Sequence, residues 1–585
     1  MALRFPVRQM LASAGFLLAL QASAADFPRR YWPAFPRPDR IVASVSHNSL
    51  NSADGVLLHT VAGLVAYDTR ARNSGELVWI GLTGATSYDE WLERCLARLD
   101  VPREPGELGV WDLVDRYRDR GIIRGYILYA QERGERPLYA LAAADESVNV
   151  ATALCPLLYA VALDESLEAQ AREHGLERVL DVRGKDERWL WDTYGSRFTT
   201  SLLARQDPKS FVVRSEIAAY RAMVVSDTGP LYEDALARLH PGSPILGWGL
   251  GLEDAQTRPS SQYACIQTAT NWCVNLPVLS AGETGLDYRF QPFVPPADAQ
   301  ADPGAADTRY VTFVLSDGDN VQWLMLNFCK GEEARQYWAC PERGRLPFGW
   351  TIPAMDLLQV CPYTLDYLRD TASPRDDVVL LSGGYYYPDE FGQRRTETDL
   401  LARHARRLGA YMGACGITSL LVNLQDWDGE TAQRAYETYA REIPALKGIF
   451  AIQYAPYPAG AGAIRWVDLP GQRRLPVISA RNAIWAGRGD DPREGTPSRV
   501  AAMLNAWAAQ PVERDEDRFA WVIVHCWSWF RPGQTPAAEE VDQAAPGSGD
   551  VARGYRPALW CSAGLAPNIR VVTPTALLNR LTRQP

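Results

Sequence analysis

The second half of this 585-residue chain repeats one pattern: a short apolar segment typical of a β-strand, followed in several repeats by a segment with helical periodicity. About eight strand candidates occur there, in units of about 40 residues. Eight alternating strands and helices are what a (β/α)8 barrel needs. We therefore predict an α/β fold with a C-terminal TIM-like barrel. The predicted strands are Tyr310–Leu315, Leu346–Trp350, Val378–Leu381, Ser419–Asn423, Ile449–Gln453, Leu475–Ser479, Ala520–His525 and Ile569–Val572.

The first half also alternates between the two kinds of segment, and it is separated from the second by a stretch rich in Pro, Ala and Asp. Such a stretch, without apolar periodicity, is typical of a linker. We predict a smaller α/β N-terminal domain of one or two subdomains at 26–291, a linker at 292–308 and the barrel domain at 309–585. The predicted N-terminal elements are strands at 77–82, 125–129, 178–181 and 210–213 and helices at 88–99, 148–163 and 215–221. This domain could cover the mouth of the barrel or contribute substrate contacts through the Gly247–Asp254 loop.

The first 25 residues have the pattern of a secretory signal peptide. Arg4 and Arg8 precede an apolar run, and Ala22-Ser-Ala24 forms a small-residue cleavage site. No later stretch reaches the ~18 uninterrupted apolar residues of a membrane span. We therefore expect a secreted or periplasmic protein with no membrane span.

Charge and aromatic content narrow the choice of partner. A chain with a net charge of −10 lacks the excess of basic residues that binding to nucleic acid requires, so no nucleic-acid partner is expected. The chain has 19 Trp and 26 Tyr, whose rings offer flat platforms for sugars, although large cores use them too. A glycan or oligosaccharide is therefore the expected partner.

Ten cysteines are present, and their number suits an oxidising compartment. Cys265/Cys273 and Cys329/Cys340 are close enough in sequence to form disulfides, with structural thiols as the alternative. Only six His occur and no C-x-x-C, so a structural zinc site is not expected.

The sharpest polar cluster follows the first predicted barrel strand. Ser316-Asp317-Gly318-Asp319-Asn320 places two carboxylates and an amide at a strand end, where barrel active sites lie. Two adjacent carboxylates can raise one another's pKa and perform acid/base or nucleophilic chemistry. A calcium or magnesium site is a second interpretation, although the distal Glu of a calcium loop is missing. A cap for the following helix is the third. We favour the first and predict no cofactor.

Other strand ends supply further candidates. A glycosidase needs a second carboxylate, and the sequence offers Asp426 and Glu390 with equal support. Asp426 could equally be a helix cap, while Tyr385 and Tyr387 could be rim packing and His525 a hydrogen-bonded structural residue. The residues expected to bind substrate are Asn320, Tyr385, Tyr387, Asn423, Gln453, Tyr454, Arg481, His525 and Trp527, with Tyr457 and Trp485 beside them.

One motif resembles a known family. Ser382-Gly-Gly-Tyr-Tyr-Tyr-Pro388 is similar to the signature of the GxGYxYP family of putative glycoside hydrolases, with Ser382 at the first Gly. The strand ends at Asp317–Asn320 and His525–Trp529 also resemble that family, as does the two-part layout. The resemblance spans most of the mature chain and implies action on glycosides.

Three function classes follow from these patterns. The first, which we favour, is a secreted glycosidase with Asp319 as the leading catalytic carboxylate and Asp317 tuning it or sharing its proton. The second is a non-catalytic glycan-binding protein. The third is a metal-dependent polysaccharide deacetylase, because residues 312–319 loosely resemble its first motif. It has little support, since no His has a partner His three or four positions away.

Overall fold

The structure is a computed structural model that describes residues 26–84, 86–130, 145–299, 307–381, 383–486, 491–532, 540–542 and 551–583. The predicted signal peptide (1–25), Ser382 and part of the predicted linker (300–306) lie outside the described residues. Across the described ranges, no helix is both long enough and apolar enough to cross a membrane.

Strands and helices alternate along the described chain. The strands of the first half are β1 (Arg40–Ser46), β2 (Glu76–Gly81), β3 (Tyr126–Tyr129), β4 (Val161–Asp164), β5 (Arg178–Asp181), β6 (Leu203–Gln206), β7 (Met223–Val225), β8 (Pro244–Trp248) and β9 (Ile266–Thr268). Those of the second half are β10 (Arg309–Leu315), β11 (Phe348–Ile352), β12 (Asp376–Leu381), β13 (Ser419–Leu424), β14 (Gly448–Gln453), β15 (Ile464–Asp468), β16 (Arg474–Ser479), β17 (Asn482–Ile484), β18 (Glu494–Gly495), β19 (Phe519–Val524), β20 (Trp529–Pro532), β21 (Glu540–Asp542), β22 (Ala552–Arg553) and β23 (Ile569–Val571).

The helices lie between these strands. In the first half they are α1 (Ser52–Arg72), α2 (Thr86–Leu99), α3 (Val110–Asp119), α4 (Ser147–Leu158), α5 (Glu168–Glu173), α6 (Glu187–Tyr194), α7 (Arg214–Tyr220), α8 (Pro230–Arg238), α9 (Glu253–Gln262) and α10 (Leu276–Leu279). In the second half they are α11 (Val321–Trp323), α12 (Ala354–Val360), α13 (Pro362–Thr371), α14 (Leu400–Cys415), α15 (Glu430–Glu442), α16 (Pro497–Ala508), α17 (Arg556–Ala563) and α18 (Pro574–Thr582).

The first half builds three small parallel sheets, β1-β2, β4-β3-β5 and β7-β6-β8-β9. Two predictions for this half are wrong. Residues 210–213 form no strand, because Val213 takes a φ of 71° and leads into α7. The helix predicted over 148–163 stops at Leu158, because Tyr159 is left-handed (φ 53°) and turns the chain into β4.

One eleven-stranded sheet dominates the second half, in the order β15-β16-β14-β13-β12-β11-β10-β19-β17-β18, with β23 also paired to β10. All pairs are parallel except β15-β16. The sheet curls: the indole Nε1 of Trp521 on β19 donates to the carbonyl of Ile478 on β16 at 2.9 Å, although six ladder steps separate these strands. The prediction of a mixed α/β fold is confirmed.

The eight predicted strands correspond to β10, β11, β12, β13, β14, β16, β19 and β23. Their arrangement differs from a regular (β/α)8 barrel in two ways. The last strand, β23, pairs with the first three residues of β10, which leaves β11 paired to β10 only at Val314. An additional strand, β17, follows β16 without a helix, and no ladder joins these two strands in the described chain. The fold is therefore a large curled sheet.

An apolar cluster fills the inside of the curl, and α18 contributes to it, packing against β10, β12 and β16. It leaves the carboxyl ends of the strands free for polar side chains. Its buried members include Tyr310, Val314, Val379, Leu381, Leu421, Phe450, Ile478, Trp521, Ile523, Leu577 and Leu578.

All ten cysteines lie among the described residues, and all are free and buried. The disulfides Cys265/Cys273 and Cys329/Cys340 are therefore not present. Two of these thiols hydrogen-bond to the backbone instead: Cys265 donates to the carbonyl of Tyr263, and Cys329 donates to that of Leu324. The alternative, structural thiols, describes the observed state.

Arg395, in the second half, joins the two halves of the chain. Its guanidinium donates to the carbonyls of Leu236, Ala237, Leu239 and Tyr263, at the end of α8 and after α9. A cation at a helix C-terminus satisfies carbonyls that have no partner within the helix.

Replacing Arg395 by Ala is expected to lower the free energy of unfolding by about 2 kcal/mol, because several charge-assisted hydrogen bonds are lost together. Urea denaturation measures the change. The matched control is Arg394→Ala: Arg394 forms an exposed ion pair with Glu233 at 2.7 Å, and such pairs contribute at most about 1 kcal/mol. Equal effects of the two substitutions would contradict this account.

Candidate active site

Two adjoining cavities open at the carboxyl ends of the large sheet. The inner cavity has a volume of about 50 Å³ and the outer one about 380 Å³. Polar and aromatic residues of the inner cavity include Glu253, Ser316, Asp317, Asp319, Tyr385, Asn423, Tyr457, Trp485 and Trp521. The outer cavity is lined by Trp248, Glu253, Ala269, Asn271, Trp272, Asp317, Asn320, Gln322, Tyr385 and Trp527.

A glycine fixes the loop that carries the two aspartates. The Gly318 N–H donates to Thr351 Oγ1 at 3.0 Å, and that hydroxyl donates to the carbonyl of Leu315 at 2.7 Å. A Cβ on Gly318 would lie 1.9 Å from the Thr351 carbonyl oxygen. Only glycine permits this approach, so the loop is pressed onto β11. Asp317 itself is left-handed, with φ 63°. The approach sets the positions of both carboxylates.

Asn320 performs the capping role that the sequence left open. Its side-chain oxygen accepts a hydrogen bond from the N–H of Trp323 at 3.3 Å, at the start of α11. Asn320 also lines the outer cavity. The cap therefore uses the amide, while Asp317 and Asp319 face the cavities.

Asp317 is held by donors on two sides. The indole Nε1 of Trp527 donates to its Oδ1 at 3.0 Å, and the Ser316 hydroxyl donates to its Oδ2. The Cys526 thiol also hydrogen-bonds to it. These three donors fix the orientation of the carboxylate beside Asp319.

Asp319 has a strongly perturbed acidity. Burial raises its pKa well above the ordinary value for an aspartate, and the negative charges of Asp317 and Glu253 raise it further. The Tyr385 hydroxyl opposes them, because its hydrogen bond favours the charged form. Asp319 therefore keeps its proton to a higher pH than a free aspartate, which is a property of a general acid.

Glycines shape the signature loop that delivers Tyr385. Gly383 and Gly384 have φ values of 80° and 116°. A Cβ on Gly384 would lie 2.5 Å from Cγ2 of Ile266, on β9. The loop thereby reaches β9, where two backbone hydrogen bonds of 3.1 and 2.8 Å join Gln267 and Tyr385.

The remaining signature residues are structural. The Tyr386 hydroxyl lies 2.7 Å from that of Tyr439, inside the protein. Tyr387 is 1% exposed, its N–H donates to Ser261 Oγ at 2.9 Å, and its ring contacts Tyr454. Neither Tyr387 nor Tyr454 lines the inner or the outer cavity. Both support the loop, and their role in binding stays a prediction.

An aromatic stack forms one wall of the inner cavity. Tyr457 lies parallel to Trp485 with ring centroids 5.0 Å apart, and Trp485 lies 3.6 Å from the ring of His525. His525 lies behind Trp485, and its Nδ1 is 2.7 Å from Ser528 Oγ. Tyr457 and Trp485 thus line the inner cavity and His525 supports Trp485, while the binding roles of these residues stay predictions.

Two carboxylates predicted from the sequence lie elsewhere. Glu390 is buried against Arg258 in an ion pair of 2.7 Å and accepts from Gln262. Asp426 is exposed, and its side chain accepts the N–H of Asp428 in a local turn. Neither lines a cavity, because each is already used by its own loop.

Three other predictions have mixed outcomes. Asn423 lines the inner cavity as expected. The side chain of Gln453 accepts the N–H of Trp427 at 3.3 Å and faces no cavity. Arg481 stacks on Trp507 of α16, 4.8 Å from its ring centroid, because the chain turns between β16 and β17. Arg481 is not at the site.

The first half contributes four residues to the outer cavity: Trp248 at the end of β8, Glu253 at the start of α9, and Asn271 and Trp272 after β9. The sequence pointed to the Gly247–Asp254 loop as a source of substrate contacts, but it singled out no residue there and did not identify Asn271 or Trp272. The available signal was the Gly-rich segment 247–251, which ends a parallel strand and precedes Glu253. The rule that directed attention to Asp317 applies equally to this strand end.

Among the described residues, no group of three or more His, Cys, Asp and Glu side chains has an arrangement that could hold a metal ion. In the same ranges, no histidine lines either cavity. The histidine ligands that a metal-dependent deacetylase uses are not found at this site.

Replacing Gly318 by Ala is expected to lower the free energy of unfolding by about 3 kcal/mol, because the added methyl overlaps the Thr351 carbonyl. Denaturant titration tests this. The control is Gly413→Ala on α14, where a Cβ meets nothing within 4 Å; there alanine should stabilise by about 0.5–1 kcal/mol. A loss at Gly413, or none at Gly318, would contradict the account.

Comparisons with known proteins agree with this layout. The GxGYxYP putative glycoside hydrolase C-terminal domain matches residues 307–531, and the second domain of GxGYxYP_N matches 123–198. A crystal structure of a putative hydrolase from Bacteroides thetaiotaomicron has a TM-score of 0.74 at 24% identity, covering 96% of this chain and 98% of that one. This likeness shows a shared fold. No curated protein matches the sequence.

The two family matches together span just over half of the chain, and the C-terminal match contains both the signature loop and the Asp317–Asn320 loop. The chain belongs to the GxGYxYP family.

Proposed function

We propose that this protein is a hydrolase of glycosidic bonds in which Asp319 is the general acid. The single observation that carries the proposal is the environment of Asp319. It is a carboxyl whose pKa is raised by burial and by neighbouring carboxylates, and it lines a cavity beside a larger cleft. Glycosidases need such an acid to protonate the leaving-group oxygen.

The cavity walls support a sugar as the substrate. Tyr457, Trp485 and Trp521 line the inner cavity, and Trp248, Trp272 and Trp527 line the outer one. Aromatic faces bind the apolar faces of sugar rings. Asn320, Asn271 and Gln322 add amide groups that can bond to hydroxyls. The outer cavity, of about 380 Å³, has room for a sugar unit, whereas the inner one, of about 50 Å³, holds only water or a small substituent of that unit.

Asp317 acts as the charged neighbour in this proposal. Its carboxylate is fixed by Trp527 and Ser316, so its charge stays beside Asp319 during the reaction.

We further propose that the curled sheet is a TIM-like barrel, with its mouth at these strand ends. The proposal also includes export of the mature chain, which would begin near Asp26 and act in the periplasm or outside the cell.

A panel of glycans tests the proposal. Protein starting at Asp26 is incubated with the panel, with and without EDTA, and released sugars are detected by mass spectrometry. Release is expected to persist with EDTA and to fall about 100- to 10,000-fold in Asp319→Asn, which cannot donate the proton. Glycan binding without release would instead favour the binding-protein alternative.

The stability of Asp319→Asn shows whether that variant is folded. The folded state raises the pKa of Asp319. As the pH rises above the ordinary pKa of an aspartate, the unfolded chain loses this proton while the folded protein keeps it, and the wild type becomes less stable. Asp319→Asn removes this cost, so its gain in stability should grow from pH 4 to pH 8. Thermal midpoints at the two pH values measure it. A gain that shrank with pH would contradict the raised pKa.

The alkaline limb of kcat/KM should move in opposite directions in two variants. Asp317→Asn removes a negative charge that raises the pKa of Asp319, so the limb should shift to lower pH. Tyr385→Phe removes a hydrogen bond that favours the ionised form, so the limb should shift to higher pH. Shifts in the same direction would show that another group controls this limb.

A further inference from the structure

The two cavities share three lining residues: Glu253, Asp317 and Tyr385. These residues mark the junction between the inner and outer spaces. A sugar in the outer cavity whose glycosidic bond reaches the mouth of the inner one would place that bond at this junction. Asp319 lines the inner side of it and is hydrogen-bonded to Tyr385. The scissile bond is therefore placed beside Glu253.

Hydrolysis with Asp319 as the acid requires a second carboxylate that is ionised. Among the described residues, the acidic side chains lining the cavities are Glu253, Asp317 and Asp319. Asp317 lies two residues from Asp319 on the same loop, and Trp527, Ser316 and Cys526 donate to it. Asp317 already has a role in the proposed function, as the charged neighbour that raises the pKa of Asp319. Glu253, which comes from the other half of the chain, is the remaining carboxylate at the junction.

We infer that Glu253 is the second catalytic carboxylate, so that the two halves of the chain each supply one member of the pair. The inference rests on the proposed function and adds a residue to it. Glu253 acts electrostatically on the groups of the opposite half: its charge raises the pKa values of Asp319, Tyr385 and Tyr387. Its place at the junction, where Glu253 and Tyr385 line both cavities, is the geometric basis of this coupling.

The loop that carries Glu253 is held rigidly. Arg205 is fully buried, and its Nη2 donates to the carbonyls of Ser226 and Leu250 at 3.0 and 3.1 Å. The Gln256 side chain accepts the N–H of Gly249 and donates to the carbonyl of Gly251, both at 3.2 Å. The buried Arg205 side chain therefore fixes the position of the loop that leads to Glu253.

The same loop is tied to the signature loop. Trp248 packs edge-on against Tyr385 with ring centroids 5.2 Å apart. The backbone of Gln267 hydrogen-bonds twice to Tyr385, and its side chain donates to the carbonyl of Gly247 at 2.6 Å. Glu253 and Asp319 are therefore positioned through one common residue, Tyr385.

In the reaction, the Asp319 carboxyl gives its proton to the glycosidic oxygen as the bond from that oxygen to the anomeric carbon breaks. By one route Glu253 bonds to the carbon directly, and a water that gives a proton back to Asp319 later displaces it. By the other route Glu253 takes a proton from a water whose oxygen forms the new bond to the carbon, after which Glu253 releases a proton to solvent and Asp319 takes one up. In both routes one water is consumed and two hydroxyl-terminated sugars are formed.

Glu253→Gln and Asp319→Asn are compared on two substrates: a panel glycan cleaved by the wild type, and the glycosyl fluoride of the released sugar. Fluoride leaves without a proton, so Asp319→Asn should keep most of the rate of the step that releases fluoride, measured over the first turnover. Glu253→Gln should lose at least about 100-fold on both substrates. The acidic limb of kcat/KM should also disappear in Glu253→Gln.

The matched control is Asp254→Asn. Asp254 is the next residue, but its carboxylate accepts from the Gln425 side chain at 2.9 Å and lines neither cavity. Its activity on both substrates should stay within about threefold of wild type. Thermal midpoints confirm that each variant is folded.

The outcomes separate the two proposals. If the wild type cleaves a glycan and Glu253→Gln keeps more than a tenth of its activity, the role of Glu253 is wrong while the proposed function stands. If Glu253→Gln is impaired on the glycan alone, it acts with Asp319 as an acid, and the inference also fails. If the wild type cleaves no glycan, both proposals fail together.

Discussion

The candidate site depends on two backbone hydrogen bonds between Gln267 on β9 and Tyr385 in the signature loop. They join the two halves of the chain at the point where strand ends from both meet. Tyr385 then reaches Asp319 with its hydroxyl and Trp248 with its ring. Without this contact, Asp319 would lie at the end of a strand that faces solvent, and its pKa would fall towards the ordinary value.

Glycines make that contact possible. Gly384 allows the signature loop to approach Ile266, and Gly318 allows the aspartate loop to approach Thr351. At both places a Cβ would overlap a neighbouring atom. The sequence motif thus encodes close approach of backbones, and the functional side chains follow from it. This explains why Tyr385 is at the cavity while Tyr386 and Tyr387 are buried.

Local sequence patterns predicted the elements well and their connections less well. The strand candidates of the second half, and the position of Asp317, Asp319 and Tyr385 at the carboxyl ends of these strands, could be predicted from strand ends and apolar runs. The insertion of β17 after β16 and the pairing of β23 with β10 could not, because strand pairing depends on distant segments. The division into domains at 292–308 stays a prediction.

The residue that we propose as the second carboxylate, Glu253, could not be identified from the sequence for the same reason. Glu390 and Asp426 are near the motif in sequence, but Arg258 binds one and a local turn uses the other. Glu253 lies more than a hundred residues before the motif, and only the tertiary contact through Tyr385 brings it to Asp319. The prediction of two disulfides was wrong for a related reason, because the spacing of two cysteines in sequence does not determine the distance between their thiols.

A crystal structure of Asp319→Asn with a glycan that the wild type cleaves tests the central claim most directly. The account predicts a sugar in the outer cavity, its glycosidic oxygen at about 2.6–3.2 Å from residue 319, and Glu253 facing the anomeric carbon. A glycan bound away from the junction of the cavities, or one whose anomeric carbon faces no residue of the first half, would contradict it.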